Sequence, residues 1–321
     1  MLSAASNQDT LRQPVSPQTV SGRNILDWIF FLRPILHPPV WTIAILGYFR
    51  NPIRPESPYQ LIWIMLASSG MAAWAYVVNQ IADVESDRRN NKLFFLPLGM
   101  ISMKAAHIYA GLILWVTVIG SFSISIQAGI ISMAGIALGY IYSGRPFYWK
   151  NDPVASTLLN GIGHGSLIFV FGFVGAGGLI GDAILLSVPY LFAVIAVFMG
   201  TTLPDVEGDT GSGKRTPAVV LGVKSTTVAM TLFLMISLLL SLLVRDLPLL
   251  LACNLSLPFS LYAALKPKVK NAVFAARFSV LLLSLAACYA FFWYAFVILF
   301  LFVTARIYYR RRFGMIYPAF S

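Results

Sequence analysis

Asn79, Asp83 and Asp87 are spaced four apart in the stretch Asn79-Gln-Ile-Ala-Asp83-Val-Glu85-Ser-Asp87. On a helix that spacing stacks three oxygen-bearing side chains on one face. Asp205-Val-Glu207-Gly-Asp209 repeats the four-residue spacing far downstream. The chain holds 12 Asp and Glu, and these two stretches contain half of them. Each cluster closes an apolar segment. An apolar chain that concentrates its acids in this way is built to hold something cationic. Carboxylate and carboxamide oxygens are hard ligands suited to Mg2+. Mg2+ keeps several waters and meets substrate phosphates as well as protein oxygens. Two such clusters facing each other across a cavity would therefore hold ions around a diphosphate. Glu85 and Glu207 are off the repeating face and are expected to sit behind it or toward solvent. Pro204 and Gly208 predict that the second cluster lies where its helix loosens.

Two plainer explanations fit less well. Acids are unfavourable at a helix C-terminus, so chance placement of two matched clusters there is a poor account. Intramembrane acids also mark ion or proton pathways, but these sit at the ends of apolar segments and not in the middle.

The segments that must position these residues are apolar throughout. Hydrophobic residues make up 58% of the 321-residue chain and charged residues 11%, against about 25% charged in a soluble domain. Mean hydropathy is +0.77. Apolar runs of membrane-spanning length recur, and they are too long for barrel strands, so the expected fold is all-α, a polytopic membrane helix bundle. The net charge of +11 is assigned to topology and anionic lipid, with no nucleic-acid partner. Cys253 and Cys288 lie in apolar stretches and read as small core fillers.

About nine spans are expected around a central cavity. Residues 1 to 24 are polar and lack the apolar core of a signal peptide, so they are expected to form a disordered tail. Residues 25 to 33 read as a short interfacial helix. Spans follow at about 34–49, 59–82, 104–122, 125–142, 155–177, 183–203, 225–244 and 247–265. The last apolar run, 272 to 304, reads as one long or broken ninth helix, because two spans of about 20 residues would not fit it. Residues 306 to 321 form a basic tail.

Basic residues gather at the N-terminus (Arg12, Arg23, Arg33) and in every second loop. Those loops carry Arg88, Arg89, Lys92 and Lys104, then Arg145 and Lys150, then Lys214, Arg215 and Lys224, then Lys266, Lys268, Lys270 and Arg277. The intervening loops hold only Arg50, Arg54 and Arg245. This asymmetry predicts a cytoplasmic N-terminus and cytoplasmic acidic motifs, and with no cleavable targeting segment evident a plasma or inner membrane is the expected location, an organelle membrane staying open. Arg306, Arg310, Arg311 and Arg312 dissent, since nine spans would put them outside.

The chain resembles the UbiA superfamily of intramembrane prenyltransferases over residues 25 to 305. Asn79, Asp83 and Asp87 match the family's Asn-x-x-x-Asp-x-x-x-Asp, and Asp205 and Asp209 match its Asp-x-x-x-Asp. Tyr142-Ser143, Pro146 and Lys150 match a third signature. The resemblance implies a nine-helix bundle and Mg2+-dependent transfer of an isoprenoid from its diphosphate to an acceptor. It implies metal ligation by Asn79, Asp83, Asp87, Asp205 and Asp209. Lys92, Arg145, Lys150, Lys214 and Arg215 are candidate diphosphate contacts, with Tyr142 and Arg33 beside them. An allylic diphosphate ionises when its leaving charge is neutralised, and the cation left behind needs a dry, aromatic cavity.

Asn79-Gln80, Leu96-Pro97-Leu98 and Pro204 to Asp209 look most like the homogentisate prenyltransferase and chlorophyll synthase branch. Two departures weigh on that likeness. Leu96-Pro97 stands where many members have Arg-Pro, which makes Lys92 the candidate replacement. His37 falls three residues after Pro34, outside the branch's Arg-Pro-His run. His37, His107 and His164 are read as packed or interfacial, and the glycines around His164 as close helix packing. An aromatic or quinone-precursor acceptor is the first expectation. A glyceryl phosphate or porphyrin-type acceptor, a non-catalytic isoprenoid binder and a transporter remain open.

Overall fold

In chain order the helices begin with α1 (Ile25–Phe31), α2 (His37–Arg50), α3 (Pro58–Arg89), α4 (Met103–Ile124) and α5 (Ile126–Ser143). They continue with α6 (Pro153–Asn160), a π-helical segment (Gly161–Leu167), α7 (Ile168–Gly175), α8 (Ile180–Thr202) and α9 (Val206–Gly211). The chain ends with α10 (Pro217–Leu243), α11 (Leu247–Leu265), α12 (Val269–Ala290) and α13 (Trp293–Phe313). This computed structural model describes residues 24–89, 94–211 and 213–318, and no strand occurs among them. The tail expected over residues 1 to 24 lies, except for Asn24, outside the described residues, as does Lys92.

Lipid leaves the backbone no hydrogen-bond partner but itself, so each apolar run closes into helix. The ends are set by local chemistry. Ser125 alone separates α4 from α5, and its hydroxyl accepts a hydrogen bond from the Ala128 N–H, giving the tight hairpin expected from an uncharged turn. Asp152 caps α6 in the same way through Val154 and Ala155. The 32 residues of α3 span about 48 Å at the α-helical rise. A hydrocarbon core is about 30 Å thick. The last turns of α3, which carry the first acidic motif, therefore project into the interface.

Helix packing depends on small residues. A Cβ at Gly47 would lie 2.3 Å from the Phe169 carbonyl oxygen, and one at Gly172 would lie 2.2 Å from that of Ala44. α2 and α7 thus touch backbone to backbone, the close approach that glycine permits within a membrane. α8 packs along α10, α3 along α4, and α12 against α2 and α8. Together these contacts close a bundle around an interior space.

Among the described residues, ten helical segments are long and apolar enough to cross a membrane, against the nine expected. The difference lies at the C-terminus. The run from 272 to 304 breaks at Phe291, whose backbone is extended, and yields two helices of 22 and 21 residues. Two spans fit because each recruits charged flanks, Lys270 at one end and Arg306 to Arg312 at the other. Long basic side chains reach the interface from such helix tips. The last helix ends beside the first: the Tyr308 hydroxyl and the Arg312 Nε donate to Asp27 Oδ1 at 2.6 and 3.1 Å, and Arg312 Nη2 lies 2.8 Å from Oδ2. The four dissenting arginines therefore lie at the same end as the N-terminal helix.

Candidate active site

The face predicted on α3 exists. Asp83 and Asp87 are buried, 8% and 6% exposed, while Glu85 turns outward and pairs with Arg88 at 2.7 Å. Asn79 Oδ1 accepts from the Ser143 hydroxyl at 3.0 Å and from the Lys150 ammonium at 2.7 Å. The same ammonium lies 2.8 Å from Asp83 Oδ2. Asp83 Oδ1 accepts from the Tyr148 hydroxyl at 3.0 Å. The loop after α5 thus closes over the first motif.

Tyr148 reaches Asp83 from a left-handed backbone conformation, φ 49°, which costs free energy in a bulky residue and persists only where the surroundings impose it. Burial raises its hydroxyl pKa, and the Asp83 charge raises it further, so it remains a donor. Burial lowers the Lys150 pKa, and the Asp83 carboxylate pulls it back up.

The second motif sits where its helix changes pitch. α8 gives way to a 3-10 turn, Leu203–Asp205, before α9; the interruption falls at Pro204, whereas Gly208 lies inside α9 and loosens nothing there. Asp205 is exposed and Asp209 half-buried. The Asp209 carbonyl oxygen accepts from the Lys214 N–H at 2.9 Å. The Arg215 N–H donates to Asn151 Oδ1 at 2.9 Å, tying this loop to the one carrying Lys150. The Lys214, Arg33 and Lys150 charges all act on Asp87, and the Asp83 and Asp209 charges both act on Tyr142. The two motifs therefore share one end of the bundle and one electrostatic environment.

Beside Asn79 lies a cavity of about 220 Å³, with Arg33, Asn79, Tyr142 and Ser143 on its walls and Met71, Leu138, Leu167 and Ile168 among its apolar lining. Arg33, itself at φ 55°, sits over the Tyr76 ring at 5.6 Å. A second space of about 220 Å³ lies between α2, α8 and α12 and shares Tyr76, Asn160 and His164 with the first.

The remaining candidates scatter. Arg145 is exposed, and its carbonyl accepts from the Tyr140 hydroxyl at 2.7 Å. Arg215 is likewise exposed. His37 Nε2 lies 3.1 Å from the Leu32 carbonyl oxygen and His107 Nδ1 lies 2.8 Å from that of Met103, so both are satisfied within their own segments. Tyr148, Ser143, Asn151 and Tyr76 were not singled out from sequence. Only Ser143, inside a recognised signature, carried any signal there.

Among the described residues, no three Asp, Glu, His or Cys groups close into one coordination sphere. The donors nonetheless suit a hard cation. Asp87 Oδ2 is buried with no hydrogen-bond partner, a costly state for a carboxylate that a cation relieves. Asn79 and Asp83 already hold a cation in the form of the Lys150 ammonium.

Residues 40–279 match the UbiA prenyltransferase family. The chain belongs to that family. Among UbiA-like relatives, it is 29% identical over 190 residues to digeranylgeranylglyceryl phosphate synthase of Methanoculleus marisnigri, covering 58% of this chain and 64% of that protein. It is also 29% identical over 235 residues to the chloroplastic 2-acylphloroglucinol 4-prenyltransferase of Humulus lupulus, covering 70% and 54%. The chain thus spans less than two thirds of either relative. A UbiA homolog from Archaeoglobus fulgidus bound to GPP and Mg2+ shares the fold, with a TM-score of 0.67 at 18% identity over 85% of this chain and 99% of that one.

Proposed function

We propose that this chain is a Mg2+-dependent intramembrane prenyltransferase that moves an isoprenoid from its diphosphate to an aromatic or quinone-precursor ring. The observation that carries this reading is the placement of both acidic motifs at one end of the bundle, with Asn79 of the first on the wall of a largely apolar cavity. The family match supports it, as does the likeness to a homolog bound to GPP and Mg2+.

Asn79, Asp83, Asp87, Asp205 and Asp209 would hold the metal, which supplies neutralisation of the diphosphate charge. Lys150, Lys214 and Arg33 add positive charge on the same side. Tyr142 and Tyr76 present aromatic rings to the cavity, which suits an electron-poor carbon. The apolar walls below exclude water that would otherwise capture it. The acidic end faces the cytoplasm in this reading, because the basic loops and the Arg306 to Arg312 segment gather there.

A glyceryl phosphate acceptor is the second reading, favoured by the 29% identity to digeranylgeranylglyceryl phosphate synthase. One assay separates the two. Purified protein in detergent receives geranylgeranyl diphosphate, Mg2+ and one acceptor at a time: homogentisate, 4-hydroxybenzoate, dihydroxynaphthoate or a glyceryl phosphate. Diphosphate release that needs Mg2+ and a phenolic acceptor supports the first reading, and release with the glyceryl phosphate alone supports the second. No release in any arm counts against a transferase.

A further inference from the structure

His164 is the one histidine whose surroundings within the bundle leave its chemistry unused. It lies in the π-helical segment Gly161–Leu167, a geometry that recurs at functional sites. Gly161 and Gly165 press against α8: a Cβ at Gly161 would meet Ile195 at 2.6 Å, and one at Gly165 would meet the Tyr190 carbonyl oxygen at 2.7 Å. Gly163 faces open space and lines the same cavity as Asn79. The segment is thus seated through two glycines and leaves a gap at the third.

The His164 ring is half-buried and lines both cavities. It makes no hydrogen bond to any described residue. Its described side-chain contact is the Tyr76 ring, near-parallel at 22° with centroids 6.5 Å apart. His37 and His107, by contrast, are bonded to carbonyl oxygens. A neutral imidazole carries one donor and one acceptor, and both are open to a molecule in the cavity.

We propose that His164 binds the acceptor, holding a ring hydroxyl of a planar phenolic molecule in the cavity beneath Asn79. This inference deepens the transferase reading and rests on it. The space suits one substituted ring, since a cavity of about 150 Å³ holds benzene. Tyr76 and His164 offer flat faces for stacking, and Gly163 lacks the side chain that would fill the gap. The cavity's polar rim at Asn79 and Tyr142 keeps the ring next to the diphosphate end of the site. A lipid glyceryl phosphate has no use for the flat walls.

The test is binding, measured by calorimetry in nanodiscs on the wild type, His164→Phe, His164→Gln and Gly163→Val. Each is loaded with Mg2+ and geranylgeranyl thiodiphosphate and titrated with homogentisate, 4-hydroxybenzoate, dihydroxynaphthoate or a geranylgeranylglyceryl phosphate. The inference expects at least one phenol to bind the wild type. His164→Phe should weaken it about tenfold, as loss of one buried hydrogen bond does. His164→Gln should retain most of it, and Gly163→Val should block it by filling the gap. Thiodiphosphate affinity should be unchanged in all three variants. Binding of no phenol, of the glyceryl lipid alone, or of a phenol equally well by His164→Phe and Gly163→Val overturns the inference, while thiodiphosphate binding leaves the transferase reading standing. Failure of the wild type to bind thiodiphosphate overturns both.

Discussion

The Lys150 ammonium lies 2.8 Å from Asp83 Oδ2, and both side chains are only 9% exposed. With Asn79 Oδ1 at 2.7 Å, the chain supplies its own cation to the face that would hold Mg2+. Metal and ammonium compete for the same oxygens. In Lys150→Met the carboxylate loses its partner, which costs about 3 kcal/mol for a buried pair, so the melting temperature in EDTA should fall. Added Mg2+ should then stabilise the variant more than the wild type, because no ammonium needs displacing. Thermal unfolding in detergent with EDTA and with Mg2+ measures both effects. An equal Mg2+ response in the two proteins would remove the competition.

Asp87 should behave in the opposite way. Its Oδ2 is buried without a partner, so the fold without metal carries an uncompensated acceptor. Asp87→Asn replaces the carboxylate with a neutral group that is cheaper to bury. Its melting temperature in EDTA should equal or exceed that of the wild type, and its gain on adding Mg2+ should shrink. A variant less stable in EDTA and unchanged in its Mg2+ response would show that Asp87 has only a packing role.

Much of this was legible from spacing alone. The four-residue interval put Asp83 and Asp87 on one buried face with Glu85 outside it, because helical periodicity needs no tertiary information. Pro204 marked where α8 is interrupted, because proline lacks the N–H that would continue the helix. The tenth helix was hidden because hydropathy counts Arg306 to Arg312 against a span, whereas long basic side chains let the helix tip run into the interface. Tyr148 was hidden because its reach to Asp83 depends on a left-handed turn that no local residue preference favours. His164 read as packing because Gly161 and Gly165 in the same run do pack. The gap at Gly163 exists only once α3, α5 and the π segment surround it.

Asp83→Ala and Asp205→Ala should each reduce turnover by about 100-fold or more, the scale seen when one preorganised charge-stabilising group is removed. The two residues sit on different helical segments 122 positions apart in sequence, so a shared effect follows only from a shared ligand. Asp205 is exposed, and its loss should leave the fold intact. Diphosphate release at saturating substrate, beside a melting curve, separates the two causes. Near-wild-type turnover in either variant would break the metal assignment.

The clamp between Asp27 and Arg312 bears on the site indirectly. Arg312 grips both Asp27 oxygens and Tyr308 adds a third bond, while the Phe30 and Tyr308 rings stack at 3.7 Å. α1 is thereby fixed to the last helix, and two residues after α1 comes Arg33 on the cavity wall. Asp27→Ala removes the carboxylate that Arg312 grips with both oxygens, a loss of about 3 kcal/mol for a buried pair, and it frees α1 to shift. The melting temperature should drop, and affinity for the isoprenoid diphosphate should fall as Arg33 loses its fixed position. The exchange Asp27→Arg with Arg312→Asp keeps the charges but not the Tyr308 hydrogen bond to a carboxylate on α1, so it should restore only part of the stability. A double variant no better than Asp27→Ala would place the clamp's value in the Tyr308 bond and the ring stack, and not in the ion pair.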